Sequence, residues 1–331
     1  MAPENRCKAQ TINPVHRTCV ALPEAVISVI TSVYRKIVFE QFRENVGKTI
    51  GVPYEIIAID NSEGRMGLCE VYNKGAQQAQ YNVLCYAHED ILLQTPGWGR
   101  KVTALFDQHP QLGLLGVAGS SYKSLIPSGW SFPTAEACTM YSSYIQCEPA
   151  GVGTPINCYH NPDQKSLSRV VSVDGMWFCT KRHIAREVKF DETLFKRFHC
   201  YDVDFSLAVY QKYQVAVTFD ICVEHYSGGS FNAEWVLETL KLHRKWRTHL
   251  PVNLAGLDAP TQKSQEVRAF YFFLSIFAPS SIPVQKFIAS LQHAKLVSIL
   301  GLRTFVKLNL KIIKDRLMSG KRIQQQHGPA K

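Results

Sequence analysis

None of the ten cysteines stands in a CxxC pair, so the spacing of a zinc ribbon is missing. They are scattered singly, several inside apolar runs, and read as buried reduced thiols packing like small hydrophobes. The first twenty residues lack the charged start, apolar core and small-residue cleavage site of a secretory leader. The longest nearly apolar run, "AFYFFLSIFA" at 269–278, is too short to span a bilayer and stops at Pro279. A cytosolic protein is therefore expected. No GxSxG occurs, which argues against a serine hydrolase, and no glycine-rich phosphate loop follows the first predicted strand. No internal repeat is present.

Acid is nearly absent from the end of the chain. Residues 286–331 hold ten Lys and Arg against one acid, Asp315, a net charge of +9. The other 285 residues then carry 27 basic and 26 acidic side chains, so the body is neutral and the tail holds the charge. That excludes a nucleic-acid-binding body and gives the tail a surface role of its own.

What is present is a well-filled globular chain of 331 residues, 46% hydrophobic. "AVISVITSVY" (25–34), "YEIIAIDNSEG" (54–64), "YNVLCYAHED" (81–90) and "LGLLGVAGSS" (112–121) read as strands buried on both faces. Helical segments at 39–50, 67–80 and 99–110 separate them. This alternation predicts an α/β fold with a mainly parallel sheet flanked by helices. Ligands bind at the carboxyl ends of such strands, where Asp60 and the cluster His88-Glu89-Asp90 fall. Segment 121–169, rich in Ser, Pro, Gly and aromatics, reads as long loops. "VVSVDGMWFCTKRHI" (170–184) restores a strand. "FDETLFKRFHCYDVDFSLAVYQKY" (190–213) places acids at the start of a helix, and "QVAVTFDICVEHYSGGS" (214–230) is a strand running into His225. Helices follow from about 233.

In order and spacing, "VISVITSVY", "IIAIDNSEG", "YNKG", "YAHEDILLQTPGW", "LGLLGVAGS", "VDGMWF", "FHCYDVDFSLA" and "EHYSGGS" resemble the family 2 glycosyltransferases of GT-A fold. The resemblance runs from about Val26 to Ser230. It implies an N-terminal extension (1–24), a GT-A catalytic domain (25–232) and a helical C-terminal region (233–331). It also implies transfer of a sugar from a nucleotide-sugar donor to an acceptor hydroxyl of a glycan or lipid-linked saccharide, with inversion. Two other readings stay open on the same pattern: a carbohydrate-binding scaffold of weak or no activity, and a nucleotidyltransferase.

The resemblance also assigns residues. His88-Glu89-Asp90 stands where the family has Asp-x-Asp. Asp90 and His225 are the expected ligands of Mn²⁺ or Mg²⁺, an oxygen-imidazole set suiting Mn²⁺ at least as well. His88 and Glu89 are expected at the donor, with Thr31, Ser32, Asp60 and Asn61. Asp202 aligns with the general base; its alternative is helix N-capping. Asp174, Gly175, Trp177 and Tyr201 fall on the acceptor side, Trp177 stacking on a sugar or filling the core.

In the tail, Arg303, Lys307, Lys311 and Lys314 form one stripe of a helix, with Phe305, Val306, Leu308, Ile312 and Ile313 on the rest of its circumference. Such a helix lies on an anionic membrane surface, or packs on the body with its bases in water. The first would place the protein peripherally on the cytosolic face of a membrane.

Overall fold

The computed structural model describes residues 26–132, 134–148 and 153–326; the expected extension at 1–24 lies outside them. The chain opens with β1 (Ile27–Val33), α1 (Lys36–Thr49), β2 (Tyr54–Asp60), α2 (Leu68–Gln78) and β3 (Val83–Ala87). β1 pairs in parallel with both β2 and β3. α2 lies on this unit at close range, since a Cβ on Gly75 would meet Ile30 Cγ2 at 2.3 Å. Its Asn73 is tied to the Phe190 backbone (2.9 and 3.0 Å), so "YNKG" serves packing.

After the short β4 (Ile91–Leu93) and α3 (Trp98–Gln108) come β5 (Leu112–Gly116), β6 (Ala118–Ser120) and β7 (Tyr122–Lys123). The expected single strand at 112–121 thus breaks at Val117 and serves two sheets. β8 (Met140–Gln146) and β9 (Ile156–His160) form a hairpin inside the segment read as loops. That reading is corrected: Ser and Tyr in β8 carry little strand signal alone, and the segment is held by pairing with distant partners on both sides.

The chain continues through β10 (Leu167–Val170), β11 (Ser172–Val173), β12 (Trp177–Lys181), α4 (Arg182–Val188), α5 (Tyr201–Tyr210), β13 (Gln214–Thr218) and β14 (Val223–His225). The central sheet has the order β10-β13-β5-β12-β3-β1-β2. β12 runs antiparallel to both neighbours and β10 antiparallel at the edge; the other strands run one way. The sheet is therefore mainly parallel, as expected, with a reversed strand at its centre. A second sheet, β11-β6-β8-β14-β4, crosses its carboxyl end.

The C-terminal region comprises α6 (Ala233–Lys245), β15 (Val252–Asn253), α7 (Ala259–Phe277), α8 (Val284–Leu291), α9 (Ala294–Leu300) and α10 (Leu302–Gln326). It shares a core with the sheet: Val236, Phe270, Phe273 and Ile312 belong to the same buried cluster as Tyr72, Tyr86 and Phe205. Among the described residues no helix is long and apolar enough to cross a membrane.

Candidate active site

The cleft forms where three chain turns meet. β3 ends at Ala87 and releases His88, Glu89 and Asp90. β14 pairs antiparallel with β4, setting His225 opposite Ile91, and Tyr226 N–H donates to the Asp90 carbonyl (2.9 Å). That pairing brings His225 to Asp90 across 135 residues of chain. His88 Nδ1 and His225 Nε2 each lie 3.9 Å from Asp90 Oδ1. One ligand atom from each of the three residues falls within 4.8 Å of the others.

Two of those atoms, Asp90 Oδ1 and His225 Nε2, are buried with no hydrogen-bond partner. Buried polar atoms are normally paired, and leaving them unpaired costs about 1–3 kcal/mol each. Other unpaired atoms, such as the Tyr86 hydroxyl and Trp177 Nε1, lie outside this ligand cluster. A facing pair of lone-pair donors, one carboxylate and one imidazole, is what a bound cation would satisfy. The residues therefore fit a divalent metal, and His88, expected at the donor, lines the larger cavity and also stands within reach as a third ligand. The signal was in the sequence: imidazole is itself a metal ligand, so His in the first position of the acidic motif need not leave the set.

Tyr201 orients His88. The Gly175 carbonyl can only accept, so the Tyr201 hydroxyl donates to it (3.1 Å). Tyr201 Oη then accepts from His88 Nε2–H (2.6 Å), and Nδ1 keeps its lone pair toward Asp90. Burial holds the His88 imidazole below its usual range, against the pull of Asp90. A neutral ring is the form a metal binds. Gly175 is required here, because a Cβ would meet Tyr201 Oη at 2.1 Å.

Asp202 is the second residue of α5, a helix entered through Cys200 in a left-handed conformation (φ 66°). Burial, then the charge of Asp174, raise its carboxyl to about 7, against hydrogen bonds from the Val203, Asp202 and Gly175 backbone. Asp204, two residues on, faces the interior and is held by Trp246 Nε1 (2.8 Å) and Lys245 (2.9 Å). The two acids are thereby separated into a cavity-facing and a structural one.

Two cavities share the wall formed by His88 and Phe198. One, of about 430 Å³, is lined by Ser32, Tyr34, Arg35, Tyr72 and Asp90. The other, of about 170 Å³, is lined by Asp174, Gly175, Tyr201, Asp202 and His225, with Trp130, Phe231 and Trp235 at its mouth. The triad stands between them.

Several expected residues are tied up in other contacts, although Ser32 and Glu89 still line the larger cavity. Trp177 is fully buried edge-on to Trp98 (5.9 Å), in the core behind the sheet, so it stacks on no sugar. Its position in β12 alternates away from the cleft; Trp130 and Phe231 supply the aromatic faces. Asn61 is buried and bonded to the Tyr34 hydroxyl (2.8 Å) and to both backbone groups of Met66, so it shapes the wall without facing the cavity. Both Glu89 oxygens accept from the Tyr34 and Arg35 N–H groups (3.0 Å each), clamping the end of β1 to the end of β3. Burial raises the Glu89 carboxyl against those bonds. Asp60 is exposed in its own turn, accepting from Ser62 N–H (3.0 Å) and Oγ–H (2.7 Å), which lowers its carboxyl; it lines neither cavity. Thr31 is buried with its hydroxyl unpaired, and Ser32 reaches the larger cavity. Arg35 escaped the sequence reading. Its guanidinium stands 3.8 Å from Asp90 Oδ2 on a half-exposed side chain, a cation at the cleft rim. Its place directly after β1, beside the acids of β3, was the available signal.

A mainly parallel sheet crossed by a smaller one, with a carboxylate-imidazole cluster at its carboxyl edge, defines a GT-A glycosyltransferase fold. Consistent with this, the profile of the "Glycosyltransferase like family" matches residues 28–248, and the chain belongs to that family. No curated protein matches it in sequence. The structure of S. aureus TarS 1–349 in complex with UDP superposes with a TM-score of 0.53 at 12% identity, over 91% of this chain and 92% of that one. Its UDP-GlcNAc complex superposes with a TM-score of 0.50 at 11% identity over the same shares. These likenesses are of fold.

Proposed function

We propose that the protein transfers a sugar from a nucleotide-sugar donor to a hydroxyl of a glycan or lipid-linked acceptor, with inversion and with the help of a divalent metal. The observation that carries the reading is the facing pair of unpartnered buried atoms, Asp90 Oδ1 and His225 Nε2, one wall away from a carboxylate raised to about 7.

The donor would occupy the larger cavity, its nucleotide along Ser32 and Tyr34 and its diphosphate toward Arg35. His88, Asp90 and His225 would hold Mn²⁺ or Mg²⁺; two imidazoles favour Mn²⁺. Such an ion supplies charge neutralisation to a diphosphate leaving group. The acceptor would enter beside Trp130 and Phe231. Asp202, placed between acceptor and donor, removes the hydroxyl proton as that oxygen attacks the anomeric carbon from the face opposite the diphosphate. One C–O bond forms as the other breaks, and the proton rests on Asp202. Its raised pKa makes it a competent base near neutral pH. In this reading 25–232 is the catalytic unit, 233–331 its helical support, and the chain works in the cytosol, peripherally on a membrane.

The test is thermal unfolding with UDP, the nucleotide in the TarS complex, with and without Mn²⁺. UDP and Mn²⁺ together should stabilise the protein, by about 2.7 kcal/mol at a hundredfold excess over Kd. Asp90→Asn should abolish the gain. If no nucleoside diphosphate with any divalent ion raises the midpoint, the reading fails.

A further inference from the structure

Helix α10 carries two apolar faces. The inner one, Leu308 and Ile312 with Phe305 beside them, belongs to the main core. Arg316 pins the same side, donating to the Ala278 (3.1 Å) and Ile282 carbonyls with its guanidinium over the Phe277 ring. The outer one is Leu302, Val306, Leu310, Ile313 and Leu317, whose spacing of four, four, three and four is one line along a helix. None of it is covered: Leu302 is 67%, Leu310 62% and Leu317 64% exposed, and Val306 and Ile313 are also open. At about 100° per residue this row spans roughly 80° of the circumference and about 22 Å of length. Arg303, Lys307, Lys311 and Lys314 follow it along one edge, where the sequence had shown only a basic stripe. Lys311 pairs with Asp315 (3.1 Å); Arg303, Lys307 and Lys314 meet no acid within ion-pair distance among the described residues.

An exposed leucine row on a helix already anchored by its opposite face is not explained by packing, and contiguous apolar surface of this kind marks an interaction site. The flanking cations select its occupant. We infer that α10 is an in-plane membrane anchor, its Leu302–Leu317 row entering the acyl boundary of a bilayer and Arg303, Lys307 and Lys314 meeting anionic phospholipid headgroups. A second copy of the chain fits less well. Antiparallel pairing on the same row about a two-fold axis would place both basic rows on one edge, where they repel. The inference gives a surface to the peripheral placement proposed above and does not depend on the donor site.

The experiment is co-sedimentation of the full chain with vesicles of phosphatidylcholine alone or mixed with phosphatidylglycerol. The protein should bind the mixed vesicles and leave the neutral ones. Leu302→Gln with Leu310→Gln and Leu317→Gln should weaken binding by at least about a hundredfold. Lys307→Gln with Lys314→Gln should weaken it about thirtyfold, at about fivefold per charge. Every position changed is exposed, so the thermal midpoint should hold. Undiminished binding by the triple variant, or none by the natural chain, overturns the anchor. So does a dimer in sedimentation velocity that the triple variant dissolves. The UDP and Mn²⁺ shift, read on the same preparations, reports the donor site separately: its absence would strike the transferase reading and leave the anchor standing.

Discussion

Two polar clusters among the described residues, one buried around Lys123 and one half-buried at His88, Asp90 and His225, are built on opposite rules. Around Lys123, every group is answered. Lys123 Nζ donates to the Ser128 carbonyl (3.0 Å) and Oγ (2.6 Å) and to His243 Nε2 (2.9 Å). His243 Nδ1–H donates to the Leu125 carbonyl (3.0 Å), so its Nε2 is free to accept from Lys123 and from Ser128 N–H. Glu266, on α7, accepts from Tyr122 Oη and from the Leu125 and Ile126 N–H groups (2.7–2.9 Å). Burial pushes the Lys123 amine down to about 7, and burial, then Lys123, push the His243 imidazole well down. At His88, Asp90 and His225 the same residue types face one another at 3.9 Å and leave two atoms unanswered. Burial of charge alone does not distinguish a site from a strut. Completeness does: a satisfied network fixes a loop to a helix, and an unsatisfied one waits for a ligand.

Substitutions can break that contrast. The largest effect is expected at Asp202. Asp202→Asn should lower transfer about a thousandfold while leaving the fold intact. In the natural enzyme kcat/KM should rise with pH through about 7, because the ionised base is the active form. Stability should move the other way. The folded-state pKa of Asp202, about 7, exceeds its unfolded value, so the folded state holds the extra proton between about pH 4 and 7 and loses that stabilisation as pH rises. Above pH 7 Asp202→Asn should therefore be the more stable by about 2–4 kcal/mol, measured by denaturant midpoint. An activity limb near pH 4 would show that Asp202 is not the base.

Next in size, Glu266→Ala strips the closed network. It leaves the Tyr122 hydroxyl and two backbone N–H groups buried without an acceptor, at a cost of about 3 kcal/mol in urea unfolding. UDP and Mn²⁺ binding should persist in the folded fraction. If binding goes instead and stability stays, the roles of the two clusters are reversed. The smallest effect is at Tyr201. Tyr201→Phe removes the acceptor that orients His88 and should weaken Mn²⁺ about tenfold by calorimetric titration. Unchanged affinity would take His88 out of the ligand set.

How much of this was legible in the sequence differs from residue to residue. β1, β2, β3 and β5 could be read because strands buried on both faces must be continuously apolar. β8 could not, because its stability comes from pairing with the distant β6 and β14 rather than from its own Ser and Tyr side chains, and β9, paired with β8, follows from it. Asp90, Asp202 and His225 were singled out by the order of motifs; that His88, expected at the donor, also comes within ligand distance of Asp90 and His225 was not legible. Asn61 and Trp177 carry residue types that suit a site, and their hydrogen bonds and burial turn them away from the cavities; Glu89 lines the larger cavity while both its oxygens hold the end of β1. Arg35 was overlooked because its place after β1 gains meaning only once the acids that end β3 are seen to lie beside it. The outer row of α10 was missed for a related reason: the spacing was visible, but which of two apolar faces the body would cover was not.

The sequence by itself determined the alternation of strands and helices, the acids and imidazoles at strand ends, and a tail with nearly all the net charge. These are local properties, set by periodicity and composition. Only the tertiary structure decided which polar atoms go unpaired, which carboxylate faces the cavity and which leucines stay in water. Those depend on what is packed opposite each group, and in this chain the partner stands a hundred residues or more away for His88, Asp90 and Glu266.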